Sequence, residues 1–552
     1  MKDGIRENRP HNQGGVVRLT AWLASLPDLR LTLLVSLVLF VLGAWPLLLV
    51  AVPPLLDLPS HMAAAHIAEH LDLYPQYVFN GFFRSNAIVP LWLHLLGRHD
   101  LLAAGRAFTA IVIAANALGL PFFVLHFGGR RRMLVASLLV WPLVHGFFVS
   151  MGMLNFAFAF PSALTLLVAL DRQRQAPSVL RGLSVAAVSV LPWYAHPFPL
   201  MVVVGLVVLE VASRPGWRAR RSAGLALLSP LVPVGSLVCV IALRHLIKAP
   251  GAPVATSTSF AFLNPWELVW HFWLDASGAL TRWGSMTVVP ALLLPVFAWR
   301  GRDTQVPFLS KRGTIALVVA YLGLPLMLSN WWYLNCRLVP FLWAAFALRV
   351  PTSLSRRMSA VLLACALSFS VVLGIDYLRL DGNRAAFTAG ISAVPERATL
   401  LPLLFKHGKT SDFTASLTHD WGYYVMAKNT SAPLAGAVER SHALTYRVFP
   451  PAMLIPPALD RLAELHGTPE RHCRASPILA AEGEAGCKAA WDELWRTFWG
   501  LAEPRFTHVL TWAMPSVFRE VIPASYQSVF AAGELEIFAR PAVSPVAAGA
   551  RP

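Results

Sequence analysis

Long apolar stretches alternate with short polar segments over most of the chain, and this alternation predicts membrane-spanning helices. The first stretch covers residues 31–52, which is long enough to cross a bilayer as a helix of about 20 residues. Similar stretches continue as far as residue 375, so we predict about eleven spans. They are 31–52, 104–127, 134–149, 154–170, 183–194, 200–211, 225–243, 288–299, 315–328, 338–348 and 361–375.

Basic residues cluster at alternate ends of these stretches and set the predicted orientation. Arg130, Arg131 and Arg132 follow the second span, so the positive-inside rule puts that end in the cytoplasm. Residues 1–30 are then a cytoplasmic segment, and residues 53–103 form the first external loop. We therefore predict a polytopic α-helical membrane core at 31–377, followed by an extracytoplasmic α/β domain at 378–552.

The sequence after residue 378 mixes polar and apolar residues in short periods typical of a small folded domain. It predicts strands at 414–417, 507–511 and 534–539 and helices at 457–465 and 489–498. Cys473 and Cys487 both lie in this part of the chain. They would form a disulfide if the domain lies outside the cytoplasm, where thiols are oxidised.

The composition agrees with a membrane protein. Hydrophobic residues make up 56% of the 552 residues, charged residues make up 14%, and the mean hydropathy is +0.56. The net charge of +17 invites a nucleic-acid interpretation. The basic residues, however, lie between apolar spans rather than along one face, as the positive-inside rule predicts. We therefore expect the lipid bilayer as a partner and no nucleic acid.

The segment after the first span gathers acid and imidazole groups in an otherwise charge-poor chain: Asp57, His61, His66, Glu69 and His70. Pro59 fits the first turn of a helix, because the N–H that proline lacks has no partner there. Asp57 would then lie at the helix entrance with its carboxylate available, and His61 would follow one turn later. Acid and imidazole groups at a membrane surface indicate chemistry on this loop.

Other polar residues predicted on the external face come from different loops: Arg84, Asn155, His196, Asp275, Asn335 and Arg337. Polar groups at the ends of several spans can converge on one cavity, and ionisable groups at membrane depth are costly enough to indicate function. The alternative is that each one caps a helix end or meets lipid headgroups.

These features together resemble the GT-C class of integral-membrane glycosyltransferases. The resemblance rests on the basic-ended first helix, the external loop that opens with LDLPSH at 56–61, the many further spans and the terminal external domain. The segment YLNCRLVPF at 333–341 is similar to the Arg-containing motif that starts a late helix in bacterial members. One departure matters: many members carry a pair of acids in the first loop, whereas Leu58 follows Asp57 here.

The resemblance implies transfer of a sugar from a polyprenyl-phosphate donor to a glycan, lipid or protein acceptor, at the periplasmic face of a bacterial inner membrane. Asp57 would deprotonate or orient the acceptor hydroxyl. Arg337 would bind the donor phosphate, where negative charge gathers as the glycosidic bond breaks. His61 and Arg84 are further candidates for phosphate binding.

The remaining candidates are contacts to the sugar or the acceptor: Asn155, His196, Glu69 and His70. A divalent ion, Mg²⁺ or Mn²⁺, would be held by Asp57 and His61 if the enzyme uses one. The missing second acid of the loop leaves metal dependence open.

Two other functions stay open at this stage. The sequence HIAEH at 66–70 matches the H-x-x-E-H pattern of inverted zinc peptidases, although no third ligand is identifiable. A transporter or lipid flippase would suit spans interrupted by Pro and Gly. Against transport, the ionisable residues lie mainly in the loops of one side rather than within the spans.

Overall fold

The computed structural model describes residues 25–247, 260–277, 286–301, 306–328, 331–406, 416–434, 442–448, 450–475 and 483–541. Within these residues, five helical segments are long and apolar enough to cross a membrane: Asp28–Leu48, Leu101–Ser150, Leu154–Gln175, Trp217–Ile241 and Arg356–Ala393. Shorter apolar helices lie at Val179–Ala195, Pro197–Ala212, Val288–Arg300 and Cys336–Ala347. Every predicted stretch overlaps a helix, while the number of spans stays a prediction.

Helices build the chain up to residue 388. In chain order they are α1 (Asp28–Ala44), α2 (Leu58–Glu69), α3 (Ile88–Leu96), α4 (Leu101–Val140), α5 (Phe147–Ser150), α6 (Leu154–Gln175), α7 (Val179–Ala195), α8 (Pro197–Ala212), α9 (Trp217–Leu227), α10 (Val232–Ile247), α11 (Pro265–Ser277), α12 (Val288–Arg300), α13 (Lys311–Gly323), α14 (Val339–Ala347) and α15 (Arg356–Thr388). The last of them continues past residue 377, where the sequence places the end of the core; that domain division stays a prediction.

Two predicted stretches depart from simple spans. The stretches 104–127 and 134–149 lie in one helical run that breaks at Gly129, whose φ of 75° and ψ of 171° glycine adopts readily. The stretch 315–328 ends as strand β3 (Met327–Leu328), because α13 stops before Pro325, which has no N–H to continue a helix. Strand β3 pairs with β2 (Phe260–Ala261) and β4 (Trp331–Trp332) in a small antiparallel sheet.

The C-terminal residues form a four-stranded sheet with helices packed against it. The strands are β5 (Leu400–Leu404), β7 (His508–Trp512), β8 (Gln527–Ala532) and β9 (Leu535–Ala539), in the spatial order β5-β7-β9-β8. The helices are α16 (Gly422–Lys428), α17 (Pro456–His466), α18 (Pro469–Ala475) and α19 (Gly483–Ala502). The predicted strands at 507–511 and 534–539 and both predicted helices are confirmed. The first two residues of the predicted strand at 414–417 lie outside the described residues, and its last two residues form a turn.

The predicted disulfide is present. Cys473 in α18 and Cys487 in α19 are bonded, with their Cα atoms 5.7 Å apart. The disulfide therefore joins α18 to α19.

Residues 53–103, the predicted first external loop, pack into the C-terminal residues rather than standing apart. Ala63 and Ile67 of α2 belong to the same buried cluster as Trp421 and Leu510. Strand β1 (Tyr77–Phe79) pairs with β6 (Leu444–Tyr446) in an antiparallel ladder. Each large side chain buried in this way contributes roughly 1.5–3 kcal/mol, so the contact holds the loop firmly.

Candidate active site

Asp57 lies at the entrance of α2, as the sequence predicts. It occupies the N-cap position, Pro59 falls in the first turn, and the Asp57 side chain makes no capping hydrogen bond to the helix. The carboxylate instead lies 3.4 Å, measured from Oδ1, from Nε2 of His419. The Asp57 side chain is 27% exposed, so its carboxylate is partly accessible to a substrate.

The backbone of Asp57 is fixed by the turn before α6. The Asp57 N–H donates to the carbonyl of Met151 at 3.1 Å, and the Leu56 N–H donates to that of Ser150 at 3.4 Å. Gly152 comes next, with a φ of +73°, and a Cβ atom there would lie 2.6 Å from the Asp57 nitrogen. Only glycine lets this turn approach so closely, and the close approach positions the carboxylate.

His61 lies one turn into α2 beside Asp57. Its ring is hydrogen-bonded to the backbone of Gly152, and burial lowers its pKa to about 4, although Asp57 opposes that shift. The ring is therefore neutral at pH 7. His61 can donate a hydrogen bond to a phosphate but brings no positive charge.

His419 and its neighbours come from the C-terminal residues, and sequence reasoning missed them. Burial alone would lower the pKa of His419, but Asp57, Asp460 and Asp420 together raise it above the ordinary value. Burial raises the pKa of Asp420 and of Asp460 to about 7 in each case. We call Asp57, His61, His419, Asp420 and Asp460 the acid pole of the site. The one signal in the sequence is the adjacent pair His419-Asp420 in an apolar segment.

Arg337 lies at the opposite side of the site, in the single turn that leads into α14. It is buried, contacts Nε2 of His196, donates to the carbonyl of Trp332 at 3.2 Å and stacks over Phe156 at 5.3 Å from the ring centroid. Nδ1 of His196 accepts a hydrogen bond from the backbone N–H of Phe198 at 3.2 Å. Because a guanidinium can only donate, the contact with Nε2 of His196 holds Arg337 against the ring. The buried, planar guanidinium forms a place for an acceptor such as a phosphate oxygen.

We call Arg337 and His196 the cation pole. Residues 147–156 connect it to the acid pole, because Gly152 contacts Asp57 and Phe156 contacts Arg337. The two poles therefore share one wall of the site.

The C-terminal residues extend over both poles. His442 lies close enough to His61 and to His196 to affect both rings electrostatically. In α17, the charge of Asp460 acts on His419, and Arg461 stacks over Trp332 with its guanidinium carbon 5.3 Å from the ring centroid.

Arg84 is placed at the junction between the first loop and the C-terminal residues. Its guanidinium donates to the carbonyl of His442 at 2.5 Å and to that of Asn80 at 3.2 Å. These contacts position the main chain beside the site, and its predicted role at the phosphate stays a prediction.

Asn155 holds the start of α3 against α6. Its Oδ1 accepts from the Val89 N–H at 3.2 Å, and its Nδ2 donates to the Asn86 carbonyl at 3.4 Å. The Asn155 side chain therefore stabilises the contact between α3 and α6, and its contact with substrate stays a prediction. The side chain of Asp275 lies outside the described residues.

Glu69 and His70 end α2 away from Asp57. Glu69 pairs with His94 at 3.5 Å and with Arg98 at 3.7 Å, while Nδ1 of His70 bonds the carbonyl of His66 at 2.9 Å. Both side chains thus have local partners, and their roles as substrate contacts stay predictions.

The histidines of the H-x-x-E-H pattern at 66–70 have protein partners, and the peptidase alternative stays a prediction. Nε2 of His66 bonds the side-chain oxygen of Asn429 at 2.8 Å, and the ring centroids of His66 and His70 lie 4.5 Å apart with the rings tilted by 32°. Over the part of the chain that the structure describes, no group of three or more His, Cys, Asp or Glu side chains is placed to hold a metal ion.

The fold is similar to that of ArnT from Cupriavidus metallidurans, a structure bound to undecaprenyl phosphate. The TM-score is 0.50 at 12% sequence identity, and the match covers 95% of this chain and 99% of that chain. The predicted GT-C-like fold is confirmed. No protein-family profile matches the chain, and no curated protein matches its sequence.

Proposed function

We propose that this chain is an integral-membrane glycosyltransferase that moves a sugar from a polyprenyl-phosphate donor to an acceptor hydroxyl on the periplasmic face of a bacterial inner membrane. The observation that carries the proposal is the carboxylate of Asp57, which caps no helix and shares one site with the buried Arg337. The GT-C-like fold, shared with a structure bound to undecaprenyl phosphate, supports the donor class.

Asp57 acts on the acceptor. Its carboxylate receives the proton of the acceptor hydroxyl while the hydroxyl oxygen forms a bond to the anomeric carbon of the sugar. The bond between that carbon and the phosphate oxygen breaks, and its electron pair leaves with the polyprenyl phosphate. The charge balance of the step therefore needs a cation at the leaving phosphate.

Arg337 meets that need. The guanidinium is always charged and planar, which suits phosphate oxygens, and the ring of His196 lies against it. Burial of the guanidinium strengthens its attraction for the developing charge. Removal of one such donor typically costs about 10²–10³ in rate.

Our mechanism uses no metal ion. Asp57 is paired with His419, and His61 is bonded to Gly152, so both candidate ligands already have protein partners. Binding of Mg²⁺ or Mn²⁺ by Asp57 and His61 stays a prediction from the sequence. Loss of transfer after treatment with EDTA, restored by added Mg²⁺ or Mn²⁺, would establish it.

Transfer from a panel of radiolabelled polyprenyl-phosphate sugars, in membranes that contain wild type or Asp57→Asn, tests the proposal. We expect wild type to release polyprenyl phosphate and Asp57→Asn to be slower by about 10²–10⁴-fold, the range that a general base contributes. Asp100→Asn is the matched control. Asp100 is also an N-cap, but its carboxylate accepts from the Ala103 N–H at 2.9 Å, and asparagine caps equally well.

Equal donor consumption by wild type and Asp57→Asn would remove Asp57 from the mechanism. A transporter or flippase gives a different result in the same membranes, because it moves the donor lipid with its sugar–phosphate bond intact. The absence of cleavage with every donor and acceptor, together with movement of the lipid, would replace the transferase proposal.

A further inference from the structure

The carboxylate of Asp57 is held from outside its own helix. An N-cap aspartate normally fixes its side chain by accepting a backbone N–H of the first turn, and Asp57 makes no such bond. Among the described residues, its ion-pair partner is Nε2 of His419, 3.4 Å away. The orientation of the proposed base therefore depends on a residue of the C-terminal part of the chain.

His419 is fixed in place by a close contact between helices. It lies in the turn before α16, and α16 packs against α2 where the two backbones meet. A Cβ atom on Gly422 would lie 2.6 Å from the carbonyl oxygen of Pro59, so the helices touch without a side chain between them. The bond between His66 and Asn429, at 2.8 Å, joins the other end of the same pair of helices.

The surroundings of His419 favour a partnership with carboxylates. The ring is buried, with 7% of the residue exposed, and the groups that act on it are Asp57 and His61 from the first loop, Asp420 from its own turn and Asp460 from α17. Of these groups, Asp57 is the one that both pairs with the ring and is partly accessible to a substrate.

We propose that His419 is a positioning residue that orients the Asp57 carboxylate toward the acceptor hydroxyl, so that the C-terminal part of the chain completes the active site. This inference rests on the proposed function for its catalytic consequence. His419 forms and breaks no bond with substrate: it donates a hydrogen bond to one carboxylate oxygen while the other receives the proton of the acceptor.

Two variants separate positioning from folding. His419→Ala removes the donor, and a carboxylate that is misplaced by about 1 Å can cost 10²-fold in rate. We expect kcat to fall by about 10- to 100-fold with KM for the donor unchanged, because the cation pole is intact. His419→Gln retains an N–H at similar reach and should recover most of the lost kcat. His508→Gln is the matched control: His508 is buried in β7, bonds the hydroxyl of Thr507 and belongs to neither pole.

Some outcomes would overturn the inference. It fails if His419→Ala keeps wild-type kcat, or if His419→Gln is as slow as His419→Ala. It also fails if the fall in apparent kcat is fully accounted for by an equal loss of folded protein.

A second measurement needs no substrate. Thermal unfolding of Asp57→Asn, His419→Ala and the double variant forms a cycle in which paired side chains give non-additive shifts in Tm. We expect the double variant to lose less than the sum of the single losses, and additive losses would overturn the pairing itself. If wild type transfers no sugar while the cycle shows coupling, the proposed function fails and the contact between Asp57 and His419 stands.

Discussion

The two poles of the site are built in different ways. The cation pole comes entirely from the helical core: His196 begins α8, Arg337 leads into α14, and Phe156 lies near the start of α6. The acid pole joins two parts that are far apart in the chain, the segment that follows α1 and the C-terminal residues, at the contact between Asp57 and His419. Substitutions that disturb the contact between Asp57 and His419 should therefore affect the acid pole and leave the cation pole unchanged.

The difference separates two tasks of the proposed enzyme. The cation pole is buried among apolar helices, where a fixed charge acts strongly on a phosphate. In the acid pole, the Asp57 carboxylate is partly accessible and is held by the C-terminal residues that cover it. This arrangement suits recognition of an acceptor. Donor binding and acceptor activation should then respond to different substitutions.

At the cation pole, the largest effect is expected at Arg337. Arg337→Ala removes the charge and the planar donors that the phosphate requires, so we expect kcat/KM for the donor to fall by about 10²–10³-fold. Arg337→Lys keeps the positive charge but lacks the planar pair of N–H donors, so it should recover only part of the lost kcat/KM. Binding of polyprenyl phosphate, followed by tryptophan fluorescence or by a radiolabelled lipid, should weaken in parallel.

Arg349 offers a matched control at the other end of α14. It is also buried, and it donates to the carbonyls of Ala345 at 2.7 Å and Leu309 at 2.8 Å. Arg349→Lys should lower the free energy of unfolding without changing KM for the donor. If the Arg337 and Arg349 variants lost lipid binding equally, Arg337 would have a structural role only.

A smaller effect is expected at Gly422, where α16 makes its close contact with α2 beside the acid pole. Gly422→Ala places a methyl group 2.6 Å from the Pro59 carbonyl oxygen, so α16 must move away from α2. Overpacking of this kind costs about 1–3 kcal/mol, and the shift also moves His419. We expect a fall in kcat of roughly 10-fold with lipid binding unchanged.

Gly500→Ala is the control for that substitution. Gly500 lies in α19, and nothing stands within 4 Å of a Cβ atom there. Alanine should be neutral or stabilise the helix by roughly 0.5–1 kcal/mol. If Gly422→Ala weakened lipid binding as much as it lowered kcat, the two poles would not be independent.

The sequence predicted the parts of this site that depend on local structure. Pro59 favours the first turn of a helix, and this preference places Asp57 at the helix entrance. The predicted GT-C-like fold rested in part on the segment that contains Arg337, and the helices of the core follow from the length of the apolar stretches. Each of these inferences needs only a few neighbouring residues.

The parts that the sequence did not predict depend on tertiary contacts. The pair His419-Asp420 is a weak local signal, and the position of His419 beside Asp57 appears only when α16 packs against α2. The bonds from Arg84 to the main-chain carbonyls of His442 and Asn80 likewise depend on tertiary contacts, while its role at the phosphate stays a prediction. Strand β3 was predicted as the end of a span, because apolar residues that form a short buried strand have the same composition as a helix end.

The smallest effect is expected at Asp420, and it tests whether sensitivity to pH belongs to the acid pole. Burial raises the pKa of Asp420 from 3.8 to about 7, so the folded chain holds this proton more tightly than the unfolded chain does. Stability should therefore fall as pH rises from about 4 to 7. At 1.36 kcal/mol per pKa unit the decline in stability is at most about 4 kcal/mol, and we expect roughly 1–2 kcal/mol after local relaxation.

Asp420→Asn cannot ionise and should flatten this decline, as followed by thermal unfolding in detergent between pH 4 and pH 9. The control Asp492→Asn removes an acid that is 35% exposed and paired with Lys488, and it should leave the decline unchanged. A decline of equal slope in wild type and Asp420→Asn would show that Asp420 is not the source of the pH sensitivity.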